Sequence, residues 1–387
     1  MIYWFWLSTF LLVYVYLLYP LIIWGMARAK FTKHTHTLAA NDRSFPSITV
    51  VVPAYNEEDV IGAKLENCLS LDYPAGLLDI VVVSDGSTDD TDAIVTNFQS
   101  ERPEQLRLHR MTNRGGKTAG INSVMRTVER DITVFTDTNV ILDVDSLNHI
   151  AASLAAPSVG GVAGQLTYVN PDASETAQSG GLYWRYEEFI KRNEGLCGSI
   201  MGADGSIFAI KSHFFRQLPN HVMDDFCTSM GIVLQGYTFA FDARIKAYEK
   251  SAEKSSEEFK RKVRIANRSF NSYRALSLVG NLSLFDTWKF VSHKWLRWIS
   301  FVFLLVALIS NAAIVLGTTN LGYEVLLACQ VVAYSLALTK HALPSLKLPL
   351  VGSWYYFVMA NAANAIGICQ SLLGRKTTIW ASPSSSR

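Results

Sequence analysis

Three polar clusters in the first 140 residues each follow a short run of β-branched residues. Pro53-Ala54-Tyr55-Asn56-Glu57-Glu58 follows Ile48–Val52, Ser84-Asp85-Gly86-Ser87-Thr88-Asp89 follows Ile80–Val83, and Thr136-Asp137-Thr138-Asn139 follows Ile132–Phe135. Carboxylates and amides grouped this way can hold a hard cation through oxygen, or accept hydrogen bonds from ligand hydroxyls. Asn113-Arg114-Gly115-Gly116-Lys117 adds backbone N–H groups and an ammonium, the chemistry of a phosphate cradle. Asp224 and Asp225 stand side by side, and a carboxylate pair this close raises one pKa, which suits a general base. Taken singly, each cluster also reads as a turn, a helix cap, a solvated loop or a helix N-terminus. Three of them after three strand-like runs argue against coincidence.

The runs that carry these clusters are short, continuous and apolar, as in strands buried on both faces of a mostly parallel sheet. Helical stretches follow the first two, Glu57–Ser70 and Asp89–Gln99, and such alternation predicts an α/β fold. Val159–Leu166 and Thr238–Phe241 read as further strands. Parallel strands would bring all three clusters to one sheet edge, where ligands of open α/β sheets bind. No GxGxxG fingerprint and no Walker loop occur, which argues against a dinucleotide fold and a P-loop NTPase.

Charge distribution places this domain against a membrane. The chain of 387 residues is 49% apolar and 12% aromatic, which excludes disorder over most of its length. Only 18% of its residues are charged, against about 25% in a typical soluble domain. The deficit lies in four runs, Ile2–Met26, Ile299–Gly317, Leu321–Thr339 and Leu348–Leu373, of which only the third holds a charge, Glu324. Outside them the charged share is about 22%, near the soluble norm.

The first run, about 25 residues, is long enough to cross a hydrocarbon core. Arg28, Lys30 and Lys33 follow it, the charge order of an anchor with its N-terminus outside and the next domain in the cytoplasm. Thr318-Thr319-Asn320 would turn the second and third runs into a hairpin of two spans. Basic residues flank the fourth run on both sides (Lys340 and Lys347, then Arg375 and Lys376), which favours a re-entrant or interfacial helix. Ser292–Trp298 mixes His293, Lys294 and Arg297 with Trp295 and Trp298, an interfacial amphipathic pattern. The expected organisation is an anchor at 1–27, a linker at 28–45, a cytoplasmic domain at 46–276, an interfacial helix at 277–298, a two-span hairpin at 299–340, and a membrane-embedded or interfacial helix with a cytoplasmic tail at 341–387. The net charge of +2 gives no support for nucleic acid. Five scattered cysteines without a CxxC pair predict neither a disulfide scaffold nor a zinc cluster.

At these residues the chain resembles the membrane-bound inverting glycosyltransferases of family 2, which have the GT-A nucleotide-sugar fold. "VVPAYNEE", "VSDGSTDDT" and "NRGGKTAGIN" look like the family's nucleotide-binding half, "FTDTN" takes the place of its DxD metal motif, and "MDDF" that of its catalytic-base motif. "GLYWRYEEFIKR" and "GADGSIFAIK" look like its acceptor-side elements. The order and spacing of these motifs make the resemblance specific, and it covers nearly the whole chain.

The resemblance implies roles. Pro53, Tyr55, Glu57 and Asp85 fall in the nucleotide-binding motifs, with Asp85 toward the uracil or ribose and Tyr55 toward the base. Lys117 faces the phosphates. Asp137 is the carboxylate associated with a divalent cation, Mg or Mn, and Asn139 replaces a second Asp, which predicts weaker metal affinity. Asp225 is the base and Asp224 its companion. Trp184, Gly202 and Asp204 belong to the acceptor side. Arg261 and Arg264 occupy a Gln-x-x-Arg-Trp motif, in which Arg264 fits and the Gln and Trp are missing. That departure argues against a cellulose- or hyaluronan-like polymer channel. The implied function is inverting transfer from a nucleotide-sugar donor, a UDP-sugar, to a glycan or polyprenyl-linked acceptor at the cytoplasmic face of the plasma (cell inner) membrane. The alternatives are a processive polysaccharide synthase that couples polymerisation to export, and a membrane-tethered binding protein with a degenerate site.

Overall fold

The computed structural model describes residues 1–31, 45–170, 172–278, 280–343 and 350–379. Most of the expected linker, residues 344–349 and the serine-rich end at Ser382–Ser386 lie outside the described residues.

A long apolar helix opens the chain as α1 (Ile2–Val13), a π-helical turn at Tyr14–Leu18, and α2 (Tyr19–Phe31). The catalytic-type domain then alternates: β1 (Ile48–Ala54), α3 (Glu58–Leu69), β2 (Leu78–Ser84), α4 (Thr91–Glu101), β3 (Leu106–Arg110), α5 (Lys117–Val124) and β4 (Ile132–Thr136). It continues through β5 (Ile141–Leu142), α6 (Ser146–Leu154), β6 (Val159–Tyr168), α7 (Glu175–Leu196), β7 (Ile207–Lys211), α8 (Asp224–Leu234) and β8 (Thr238–Glu249). Helices complete it: α9 (Ser255–Leu276), α10 (Leu284–Phe290), α11 (Leu296–Trp298), α12 (Ser300–Gly317), α13 (Leu321–Ala342) and α14 (Val351–Leu372).

The eight strands form one mixed sheet in the order β3-β2-β1-β4-β7-β6-β8-β5. β3, β2, β1 and β4 are mutually parallel, as are β6 and β8, while β7 and β5 pair antiparallel with their neighbours. Every residue of β1, β2 and β4 is buried, the result of continuous Val/Ile/Thr runs covered by helices on both faces. Their registers pair Ala54 with Ser84 and Val51 with Phe135. The three polar clusters therefore leave the sheet at the same edge. The sequence reading missed β3, β5 and β7; β3 is half-exposed and lacks a continuous apolar run, and β5 is two residues long.

Among the described residues, three helices are long and apolar enough to cross a membrane: Ile2–Ala29, Ser300–Gly317 and Leu321–Ala342. α12 and α13 form the expected hairpin, and α1 lies along α12. The fourth apolar segment, α14, packs along α9 of the catalytic-type domain. Gly367 permits the approach, because a Cβ there would stand 2.5 Å from the Val263 carbonyl oxygen. Tyr356 on α14 donates to Glu258 on α9 at 2.8 Å, and Ser371 donates to Asn271 at 2.7 Å. The basic residues of Ser292–Trp298, expected at a lipid surface, turn inward instead: His293 is fully buried and Arg297 nearly so.

Candidate active site

A cavity of about 670 Å³ opens at the sheet edge and extends between α7, α9 and α14. Lys117, Asp137, Trp184, Gly202, Asp204, Asp224, Asp225, Arg261 and Arg264 line it, so most of the expected site residues converge there from six elements or loops. Pro53, Tyr55, Glu57, Asp85 and Asn139 do not line it.

That loop is held by Asp85, whose two carboxylate oxygens accept from the Gly115 and Gly116 amides at 2.7 and 2.8 Å. Gly116 has φ +88°, which a side chain would strain. Arg114 lays its guanidinium 3.5 Å over the Tyr55 ring, a cation–π contact. The two residues expected against a nucleotide thus both contact the glycine loop. The Pro53 carbonyl accepts from Thr138 at 2.7 Å, tying the end of β1 to the Asp137 loop. Glu57 is buried ahead of α3, and its amide donates to Thr91 at 2.8 Å.

Lys117 begins α5 and reaches across to three carboxylates. Its Nζ lies 2.7 Å from Asp137 Oδ1 and 3.5 Å from Asp224 Oδ2. Burial disfavours the ammonium, but Asp137, Asp224 and Asp225 outweigh it and raise its pKa. Gly205 faces the same point: a Cβ there would stand 2.8 Å from Lys117 Nζ, 3.3 Å from Asp137 Oδ2 and 3.5 Å from Asp225 Oδ2.

Asp224 and Asp225 occupy the first turn of α8. The helix-start reading and the catalytic reading of this pair therefore describe one place. Burial, and then the charge of Asp224, pushes the Asp225 carboxyl up to about 7, against the opposing pull of Lys117. A carboxylate poised there is a competent base near neutral pH.

α9 carries the arginines. Arg261 pairs with Glu258 at 2.8 Å, and Arg268 donates to Thr118 on α5 at 2.7 Å. Burial, followed by the like charges of Arg268 and Arg261, brings Arg264 down to about 10. A buried guanidinium among like charges is a ready partner for an anion.

On the other wall, Trp184 donates its indole N–H to the Leu166 carbonyl at 3.1 Å and sits edge-on to Tyr168. Lys191 lies 5.0 Å over the indole and bridges Asp204 at 2.6 Å and Glu188 at 2.5 Å. Gly202, at φ +97°, passes Phe226 so closely that a Cβ would fall 2.6 Å from its ring.

Several lining residues were not legible in the sequence. Glu249 ends β8, 110 positions from Asn139, whose amide donates to it at 3.1 Å. Glu187 on α7 gathers His293 at 3.0 Å, Lys294 at 2.6 Å and Arg297 at 2.8 Å. Burial works against this carboxylate, but Lys294, His293 and Arg297 hold its pKa well below the usual range. Glu194 joins the cluster through His293 at 2.9 Å and Tyr19 of α2 at 2.5 Å. Glu187 falls within the GLYWRYEEFIKR motif, but the sequence does not show which cations its charge meets.

Comparisons with known proteins agree with this geometry. The family model described as Glycosyl transferase family 2 matches residues 49–218. An N-acetylglucosaminyltransferase of Bradyrhizobium elkanii is 32% identical over 127 residues, 32% of this chain and 69% of that protein. A beta-monoglucosyldiacylglycerol synthase of Synechocystis sp. is 27% identical over 157 residues, 40% of this chain and 33% of that protein. The chain spans about a third of the length of several curated relatives it matches. A solved mannosyltransferase of Pyrobaculum calidifontis, in complex with GDP-Man and Mn2+, superposes with a TM-score of 0.74 at 22% identity, covering 96% of this chain and 100% of that one. That likeness speaks for the fold. Sheet topology, converging motifs and these matches lead to one conclusion: the chain belongs to glycosyl transferase family 2 and has the GT-A fold.

Proposed function

We propose that this protein transfers a sugar, with inversion, from a nucleotide-sugar donor to an acceptor hydroxyl at the cytoplasmic membrane face. The observation that carries the reading is the meeting of Lys117, Asp137 and Asp225 around the space left by Gly205. In this reading Asp225 accepts the proton of the acceptor hydroxyl as its oxygen bonds to the sugar's anomeric carbon. The anomeric C–O bond to the diphosphate breaks, and the diphosphate leaves with the electron pair. Lys117 and Arg264 face the charge that grows on it.

The carboxylate of Asp137 and the amide oxygen of Asn139 are hard-oxygen donors of the kind Mg or Mn takes, and an ammonium already rests against Asp137. These residues therefore fit a divalent cation, which supplies charge stabilisation to the leaving diphosphate when bound. The donor assignment to a UDP-sugar rests on the motif resemblance. A GDP-sugar, as in the Pyrobaculum calidifontis complex, is the competing choice.

The acceptor reading rests on where the cavity leads. It continues from Asp225 past Tyr183 and Arg297 to Tyr16 of the N-terminal helix and Phe357 of α14. That path supports an acceptor presented from the bilayer, a lipid or a lipid-linked glycan. It fits a multi-pass arrangement with the anchor at 1–27, the catalytic domain at 46–276 and a hairpin at 299–340, in the plasma (cell inner) membrane.

The test is nucleotide release by the purified full chain in lipid nanodiscs, with a panel of UDP- and GDP-sugars and a membrane lipid extract. One donor is expected to be consumed, with loss of activity on chelation and in Asp225→Asn. Turnover that survives both treatments would overturn the mechanism.

A further inference from the structure

Lys117 is the one cation within hydrogen-bond reach of Asp137 among the described residues, and it lies where a metal would be useful. Its ammonium touches Asp137 Oδ1 at 2.7 Å and faces Asp224 Oδ2 at 3.5 Å. Only 12% of the side chain is exposed. The space beside it is small and acidic, bounded by Asp137 Oδ2 and Asp225 Oδ2 around Gly205. Taking carboxylates out of water without a counter-cation is costly, so the donor-free site needs this ammonium. A divalent ion held by Asp137 would share that one carboxylate with the ammonium, and like charges on one group repel strongly in a water-poor site.

The two cations are therefore alternatives. We propose that the Lys117 ammonium and the divalent cation compete for the Asp137 carboxylate, so that the metal is held firmly only together with the donor's diphosphate. The diphosphate gives Lys117 a new anionic partner. The long, flexible lysine stem makes the exchange feasible, and Lys117 stands at the start of α5. The cation then enters as a nucleotide complex, and a site without donor stays closed to free metal. Asn139 works in the same direction, because its amide adds no second negative charge to attract the ion.

This inference rests on the assignment of Asp137 as the metal-associated carboxylate, and the experiment separates the two. Free Mn2+ is measured by electron paramagnetic resonance during titration of the full-length protein in detergent, without nucleotide and with UDP or GDP. In the wild-type chain one of the two nucleotides is expected to tighten Mn2+ binding by at least about tenfold. In Lys117→Met and Lys117→Gln, checked for folding by their melting temperatures, nucleotide-free binding is expected to tighten by about tenfold, and the gain from that nucleotide to shrink. Nucleotide-free binding no tighter than wild type in the folded variants overturns the exchange. So does a wild-type affinity that UDP and GDP both leave unchanged, a result independent of the variants. In Asp137→Asn, Mn2+ binding with that nucleotide is expected to be lost. Binding retained there overturns the assignment of Asp137 itself, whatever the Lys117 variants do.

Discussion

Asn139 turns its side-chain amide toward Glu249 and donates to Oε1 at 3.1 Å. The residue proposed to stand in for a second acidic group of a metal motif is thus matched to an acid at the end of β8. Burial, together with the charge of Asp137, pushes the Glu249 carboxyl up to about 7, although Arg261 and the Asn139 amide pull the other way.

Asn139→Asp would put a carboxylate where a donor now stands. The cost of two neighbouring carboxylates exists only when both are ionised, so it grows as pH rises through about 7. The variant is expected to lose about 1–2 kcal/mol of stability at pH 8 and less at pH 6. Mn2+ should narrow the gap by giving the pair a counter-charge. Thermal melts at the two pH values, with and without Mn2+, check this. Identical melting of variant and wild type at pH 8 would show that the two side chains do not share a field.

In the proposed mechanism Asp225 is the base and acts only when deprotonated, so transfer is expected to fall as pH drops below about 7, the level to which burial and Asp224 push it. Asp224→Asn removes the like charge and lowers that pKa, moving the acid limb of kcat/KM to lower pH. Asp225→Asn should cost about 10²–10⁴-fold in kcat while the nucleotide still binds. An acid limb that stays put in Asp224→Asn assigns the ionisation to another group.

Gly205→Ala tests the reacting space directly. Gly205 has no left-handed φ, so alanine adds a methyl group without backbone strain. That methyl would crowd Lys117, Asp137 and Asp225. Folding and UDP binding are expected to persist, while kcat falls by about 10²-fold through misplacement of the reacting groups. Steady-state kinetics set beside a UDP binding isotherm separate the two effects. An unchanged kcat would mean that the reaction takes place elsewhere in the cavity.

Glu187 is the shared counter-charge of Lys294 and Arg297, and both cations are largely buried. Glu187→Ala leaves them uncompensated, which should cost about 3–5 kcal/mol. Through Glu194 and Tyr19 the same cluster reaches the N-terminal helix. The melting temperature in nanodiscs is therefore expected to drop sharply, and a wild-type value would show that the cluster is dispensable.

What the sequence determined by itself was local and periodic. Continuous β-branched runs could bury only as central parallel strands, and β1, β2 and β4 are those runs. The first three apolar stretches were expected to be membrane-length helices and are long and apolar enough for it, while the fourth was expected to be re-entrant or interfacial. Polar clusters at strand ends had to share an edge once the strands were parallel, which is why Asp85, Asp137 and the glycine loop were legible. The tertiary structure decided the pairings that no spacing encodes. Glu249 faces Asn139 because β8 ends beside the Asp137 loop, and Gly205 matters because its missing Cβ leaves room between residues from three separate elements. His293, Lys294 and Arg297 read as a lipid-facing surface because sequence shows charge and not its partner. Glu187 and Glu194 on a distant helix supply that partner, so the charges turn inward. α14 reads as a membrane segment by composition, yet Gly367, Tyr356 and Ser371 bring it onto α9. Apolar length specifies that a helix must be covered, and only packing decides whether lipid or protein covers it.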